Sequence, residues 1–277
     1  MPTAVLPEFV QDQELLEGFY EGIIEVPELN NGAVAGGTTT VDRGQGTTGN
    51  DTLTGGGGAE TLQGDLGDDS ILGNGGNDTL LGSDGDDTIL GNAGDDQIFG
   101  NREFDSLLGG EGADTILGGQ SADSLFGEDD NDYLNGNRDS DTVYGGAGDD
   151  TVRGGQEADS LLGEDGNDTL FGDLGADTLT GGDGEDRFVI GQGTGGSSLS
   201  GADVIFDFVN GQDVIVLADD LTFETLQITA GTGDQNGNVI IQTQDPNQPD
   251  GTNVVLAIVQ DANIGSINTG AFTPLVI

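Results

Sequence analysis

The chain has 277 residues, 52 acidic side chains against 5 basic ones, no His and no Cys, and a formal net charge of −47. That charge excludes nucleic acid as a partner, because phosphate contacts need Lys and Arg. The missing His and Cys exclude Ser-His-Asp, Cys-His and H-E-x-x-H chemistry and make zinc and copper poor guests. A chain this acidic repels itself unless cations neutralise it, and its all-oxygen ligands select hard divalent ions.

Residues 1–45 form an acidic leader and linker. Glu8 to Ile24 carries Phe9, Leu15, Leu16, Phe19, Tyr20, Ile23 and Ile24 in a moderately amphipathic helical pattern. A Gly/Thr-rich stretch follows, from Gly32 to Gly49. The N-terminus lacks the basic and continuous apolar regions of the usual secretory signal peptide. No run of about 18 apolar residues exists, so no transmembrane helix is expected.

Residues 46–190 keep a nine-residue beat, G-x-x-G-x-D-x-U-x, with U aliphatic or Phe. Its acid falls at Asp51, Glu60, Asp69, Asp78, Asp87, Asp96, Asp105, Asp114, Asp123, Asp132, Asp141, Asp150, Asp159, Asp168, Asp177 and Asp186. Two residues after each acid stands U, from Leu53 and Leu62 to Leu179 and Phe188. A register held over half the chain marks a repeat architecture. The segment G-x-x-G-x-D predicts a turn, with Gly where the backbone needs positive φ or close approach. The segment x-U-x predicts a three-residue strand with U inward. Two nonamers then make one coil of a right-handed parallel β-roll, and coils stack about 4.8 Å apart. One aliphatic residue per nonamer is a thin core. Ions between stacked turns must add to it, and an oxygen cage of carbonyls and carboxylates suits calcium better than magnesium.

Residues 191–277 lose the beat and predict a β-rich capping and secretion domain. Short strands are expected at Val204–Phe208, Val214–Leu217, Leu226–Thr229, Val239–Gln242 and Val254–Val259, with turn signals between them. The apolar residues from Val204 to Leu217 are expected to close the open end of the roll. Asp203, Asp207 and Asp213 read equally as a further calcium site or as turn and strand-end carboxylates.

The runs GNGGNDTLLG (73–82), GNAGDDQIFG (91–100), GGAGDDTVRG (145–154) and GGDGEDRFVI (181–190) resemble RTX, or haemolysin-type, calcium-binding repeats. The segment GADVIFDFVNGQDVIVL (201–217) is similar to the one that follows such repeats, and the layout resembles cyanobacterial members. The resemblance implies an all-β fold, a calcium-loaded parallel β-roll. It also implies unfolding at cytosolic calcium, export by a type I exporter that reads the C-terminus, and folding outside the cell. The candidate metal ligands are the acids of the intact turns, Asp51, Asp69, Asp78, Asp87, Asp96, Asp114, Asp132, Asp150, Asp168, Asp177 and Asp186, with neighbouring backbone carbonyls.

Two departures stand out. The fourth position, normally Gly, is Glu103, Ser121, Asp139 and Glu157 on one side of the roll and Asp130 on the other. The middle of the first side is therefore expected to lack full calcium sites, with Arg102 and Arg138 supplying charge to Glu103, Asp105, Asp139 and Asp141. The alternative there is a docking stripe for an anionic or sugar ligand. The ninth position, expected to face outward, gives the apolar column Leu72, Leu90, Leu108, Phe126, Tyr144 and Leu162. Either the leader or the terminal domain covers it, or protomers meet there.

No G-x-S-x-G elbow or P-loop is present, and calcium cages account for the paired carboxylates, so no enzyme activity is expected. The sequence instead predicts a secreted calcium-binding protein, extracellular or on a cell surface. It would act as a structural or matrix component forming a homo-oligomer or polymer. The alternative is a calcium-dependent adhesin, or a carrier module for an effector on another chain.

Overall fold

The computed structural model describes residues 40–41, 44–191, 201–218, 221–232, 237–244, 253–262, 267 and 269–274. All belong to one compact unit, Ala35–Ile277. The helical pattern expected over 8–24 lies outside the described residues.

Each nonamer contributes one strand, and successive strands alternate between two sheets. Among the described residues these sheets have 13 and 11 strands. Residues one coil apart are therefore parallel neighbours: Ile71 pairs with Ile89, Ile89 with Leu107, and Leu80 with Ile98. Every U side chain from Leu53 to Phe188 is fully buried between the sheets.

The strands are longer than the expected three residues. Thr79–Asp84 and Thr88–Ala93 have six each, and in both the U residue and the first glycine of the next turn are buried. The first glycine thus continues the in-and-out alternation instead of opening the turn. A side chain has no room there: a Cβ on Gly73 would lie 2.6 Å from Asp78 Oδ2 and 2.8 Å from the Gly91 carbonyl oxygen. The turn proper uses positive φ at its second and fourth positions, as at Asn92 (φ 78°) and Gly94 (φ 127°).

The ninth-position column is in register, Leu72 to Leu90 to Leu108 to Phe126 to Tyr144 to Leu162, and half-buried. The Phe126 and Tyr144 rings stack 4.9 Å apart and 4° from parallel, the spacing of adjacent strands.

Beyond the repeats the coil continues. Strand Asp203–Phe206 sets Val204 beside Thr178, and strand Val214–Leu217 sets Val214 beside Arg187. The segment expected to close the roll therefore adds to it, because its strands keep the parallel register. Closure passes to later strands. Asn253–Val259 joins one sheet, and Val239–Gln244 and Leu226–Ala230 follow it in antiparallel order. Phe272–Pro274 adds to the other sheet, a strand the sequence did not suggest. These strands continue both sheets past the repeats, antiparallel on one and parallel on the other, and so cover the edge that the last coil would otherwise leave open.

Candidate metal centres

The sixth-position aspartates do not point outward from their corners. All fifteen from Asp51 to Asp186 are at most 4% exposed. Each is tied to its neighbour one coil away: Asp69 N–H donates to Asp87 Oδ1 at 2.8 Å, Asp78 N–H to Asp96 Oδ1 at 2.7 Å, and Asp150 N–H to Asp168 Oδ1 at 2.8 Å. One ladder of carboxylates thus lines each side of the roll.

The second oxygen of these carboxylates is the chemically telling atom. Oδ2 of Asp69, Asp78, Asp87, Asp96, Asp105, Asp114, Asp123, Asp132, Asp141, Asp150, Asp159, Asp168, Asp177 and Asp203 is buried and has no hydrogen-bond donor. A buried carboxylate oxygen without a partner is costly. Burial accordingly raises these carboxyls, to about 6 at Asp69, about 7 at Asp87 and about 8 at Asp105, Asp123 and Asp159, against the restraining pull of the ladder N–H. Asp51, in the first repeat, differs. Its Oδ2 accepts from Thr47 N–H at 2.5 Å and Thr47 Oγ1 at 2.9 Å. Glu60 likewise takes Gly56 N–H at 2.9 Å.

A second ladder runs outside the first with opposite polarity. Fifth-position side chains accept from the next coil: Asp149 N–H donates to Asn131 Oδ1 at 2.8 Å, and Asn167 N–H to Asp149 Oδ1 at 2.9 Å. On the other side it runs through Asn50, Asp68 and Asp86 and ends at Phe104. The ladder ends there because the next fifth-position residues are Phe104, Ala122, Ser140, Ala158 and Ala176.

The four degenerate corners change shape without losing the inner carboxylate. Glu103, Ser121, Asp139 and Glu157 sit at φ 71°, 78°, 69° and 74°, while the glycine corners Gly67, Gly85 and Gly94 sit at 113°, 138° and 127°. An L side chain forces the tighter left-handed region. Yet Asp105 N–H still donates to Asp123 Oδ1 at 2.9 Å, and Asp123 N–H to Asp141 Oδ1 at 2.7 Å. The expected role of Arg102 is corrected. Its guanidinium pairs with Asp84 at 3.1 Å, one coil back, and both groups are well exposed. Column register puts third-position residues opposite each other, so Arg102 meets Asp84 before Glu103 or Asp105.

The sequence matches the RTX calcium-binding nonapeptide repeat family over residues 36–71, 72–107, 100–134, 108–143, 126–161 and 162–195, an unbroken span of more than half the chain. The chain belongs to this family. As an RTX protein it binds multiple calcium ions. Among solved structures it is similar to the AlgE6R3 subunit of the Azotobacter vinelandii mannuronan C5-epimerase, at 23% identity and TM-score 0.30, over 53% of this chain and 80% of that one. It is also similar to the extracellular lipase LipA from Serratia marcescens, at 17% identity and TM-score 0.27, over 88% of this chain but 41% of the lipase. No curated protein matches it.

The residues fit the ion. Calcium takes about six to eight oxygens. Among the described residues no three acidic side chains converge on one point. Each ion in this RTX roll therefore needs backbone carbonyls of the stacked corners beside one carboxylate from each. The donorless Oδ2 atoms are oxygens available for that purpose. No helix among the described residues is long and apolar enough to cross a membrane.

Proposed function

We propose that this chain is a secreted structural protein whose roll closes on extracellular calcium and whose copies then assemble at a cell surface or in a matrix. The proposed ligands are Asp69, Asp78, Asp87, Asp96, Asp114, Asp132, Asp150, Asp168, Asp177 and Asp186, with Asp51 at the leading coil. Asp105, Asp123, Asp141 and Asp159 join the set, since they carry the donorless oxygen found from Asp69 to Asp177, which in Asp51 is taken by Thr47. That oxygen is the observation behind the reading. Two rows of buried carboxylates cannot ionise side by side without cations. In calcium-poor cytosol the chain stays open, a form that a type I exporter can pass; outside, calcium replaces mutual repulsion with bridging.

Assembly follows from where charge is missing. On the outer face of one sheet, the seventh and ninth positions from Thr52 to Thr180 hold only Thr, Ser and apolar residues, in a chain of net charge −47. Two copies meeting on Leu72, Leu90, Leu108, Phe126, Tyr144 and Leu162 oppose no charges within these two columns, the nearest on that face being Glu128 and Glu164 one step further along their strands.

Light scattering of the full chain in calcium tests this. Concentration-dependent growth in mass is expected, lost in Leu108→Glu while the strand signal is kept. A monodisperse monomer at every concentration would overturn the assembly and favour a carrier module.

A further inference from the structure

The repeat match stops at residue 195, but the inner row of carboxylates does not. Asp177 N–H donates to Asp203 Oδ1 at 3.2 Å, and Val204 N–H donates to the Asp177 carbonyl at 2.7 Å. The same two bonds join the preceding coil: Asp159 N–H to Asp177 Oδ1 and Thr178 N–H to the Asp159 carbonyl, both at 2.9 Å. Asp203 therefore holds the sixth position of a further coil. It is reached after 26 residues, where the repeats take 18.

Three acids of this segment approach the last repeats, and they have different fates. Asp207 takes the N–H groups of Gly181 and Gly182 at 3.1 and 3.0 Å. Asp213 sits under Asp186 on the opposite side, accepting its N–H at 3.2 Å, and its Oδ2 takes Val209 N–H at 2.6 Å. Asp203 alone of the three is fully buried with an Oδ2 that no N–H or O–H donor reaches, its carboxyl lying against that of Asp177, so that the two acids face one site.

We propose that Asp203 is a calcium ligand outside the repeats, holding an ion between itself and the 172–177 corner. This rests on the calcium reading of the repeats. The remaining oxygens would be backbone carbonyls of that corner. Strand Asp203–Phe206 lies between Thr178–Asp183 and Asn253–Val259. The ion thus fastens the C-terminal strands to the roll on one side, while the Asp213 side is fastened by the protein's own N–H groups. The junction is calcium-dependent at one corner only.

Crystals of the full chain grown with calcium and soaked in samarium chloride test the site directly. An anomalous peak is expected at coordination distance, about 2.3–2.6 Å, from Asp203 Oδ2. Peaks beside Asp69 to Asp177 with none at Asp203 overturn this site alone. No peak anywhere overturns the calcium reading and this site with it. Native mass spectrometry adds an independent count. Asp203→Asn should lose one calcium ion and speed hydrogen exchange over 253–259, and Asp213→Asn should keep the full number. An unchanged count in Asp203→Asn also overturns the proposal.

Discussion

Arg153 grips Asp173 with two parallel bonds, Nε to Oδ2 at 2.9 Å and Nη2 to Oδ1 at 2.6 Å. Its guanidinium also lies 4.6 Å from the centre of the Phe171 ring. Both charged side chains are mostly covered, at 17% and 27% exposure. The cause is register: Arg153 is the neighbour of Phe171 one coil on, and Gly155 of Asp173. A two-pronged, half-buried pair is worth more than a surface one, so Arg153→Ala should cost about 1–2 kcal/mol. Lysine can neither fork nor stack in the same way, so Arg153→Lys should recover only part of that. Thermal melts in saturating calcium measure both; an unchanged midpoint in Arg153→Ala would contradict the assignment.

The first glycine of each turn is required by space. Gly73→Ala would push a methyl against Asp78 Oδ2 and the Gly91 carbonyl, one side chain and one fixed backbone atom. We expect a loss of about 2–3 kcal/mol, the usual cost of overpacking a tight site, and weaker calcium binding. Gly57→Ala is the control, since nothing lies within 4 Å of a Cβ there. Calcium titration with denaturant melts compares them, and equal behaviour of the two variants would refute the steric account.

Much of this arrangement is legible from the nine-residue beat. The inward U residues, the pairing one coil apart, the strand Val214–Leu217 and, two residues longer than expected, the strand Val239–Gln244 all stand where hydrophobic pattern places them. Other features are not written in pattern. The inward first glycine follows from where the Asp78 carboxylate swings, and that direction is set by the N–H of Glu60 one coil away. Asp203 escaped notice as a ladder member because a 26-residue step breaks the period while the hydrogen bond survives. The outer ladder of Asn131 and Asp149 could have been found, since Asn or Asp recurs at the fifth position on that side. Arg102 went to Asp84 because partners in a roll are chosen by column, not by closeness in sequence.

Acidity should stabilise the metal-free roll. Its buried carboxyls are raised from 3.8 to about 6 at Asp69 and Asp96, about 7 at Asp114 and about 8 at Asp132. Groups raised on folding lend stability that is complete below the unfolded value and lost as pH climbs through the folded one. The melting midpoint of metal-stripped protein should therefore fall steadily from about pH 4 to about pH 8. A midpoint that rises over this window would show that the inner carboxylates are not buried as described.

The most direct test of the central claim is far-ultraviolet circular dichroism of metal-stripped protein at about pH 9, above the values of about 6 to 8 to which burial raises the inner repeat carboxylates. Titrated with calcium, the signal should pass from disordered chain to β-strand, and chelator should reverse it. The same strand signal before calcium, after calcium and after chelator would mean that the carboxylate rows hold together without cations, and would contradict the account.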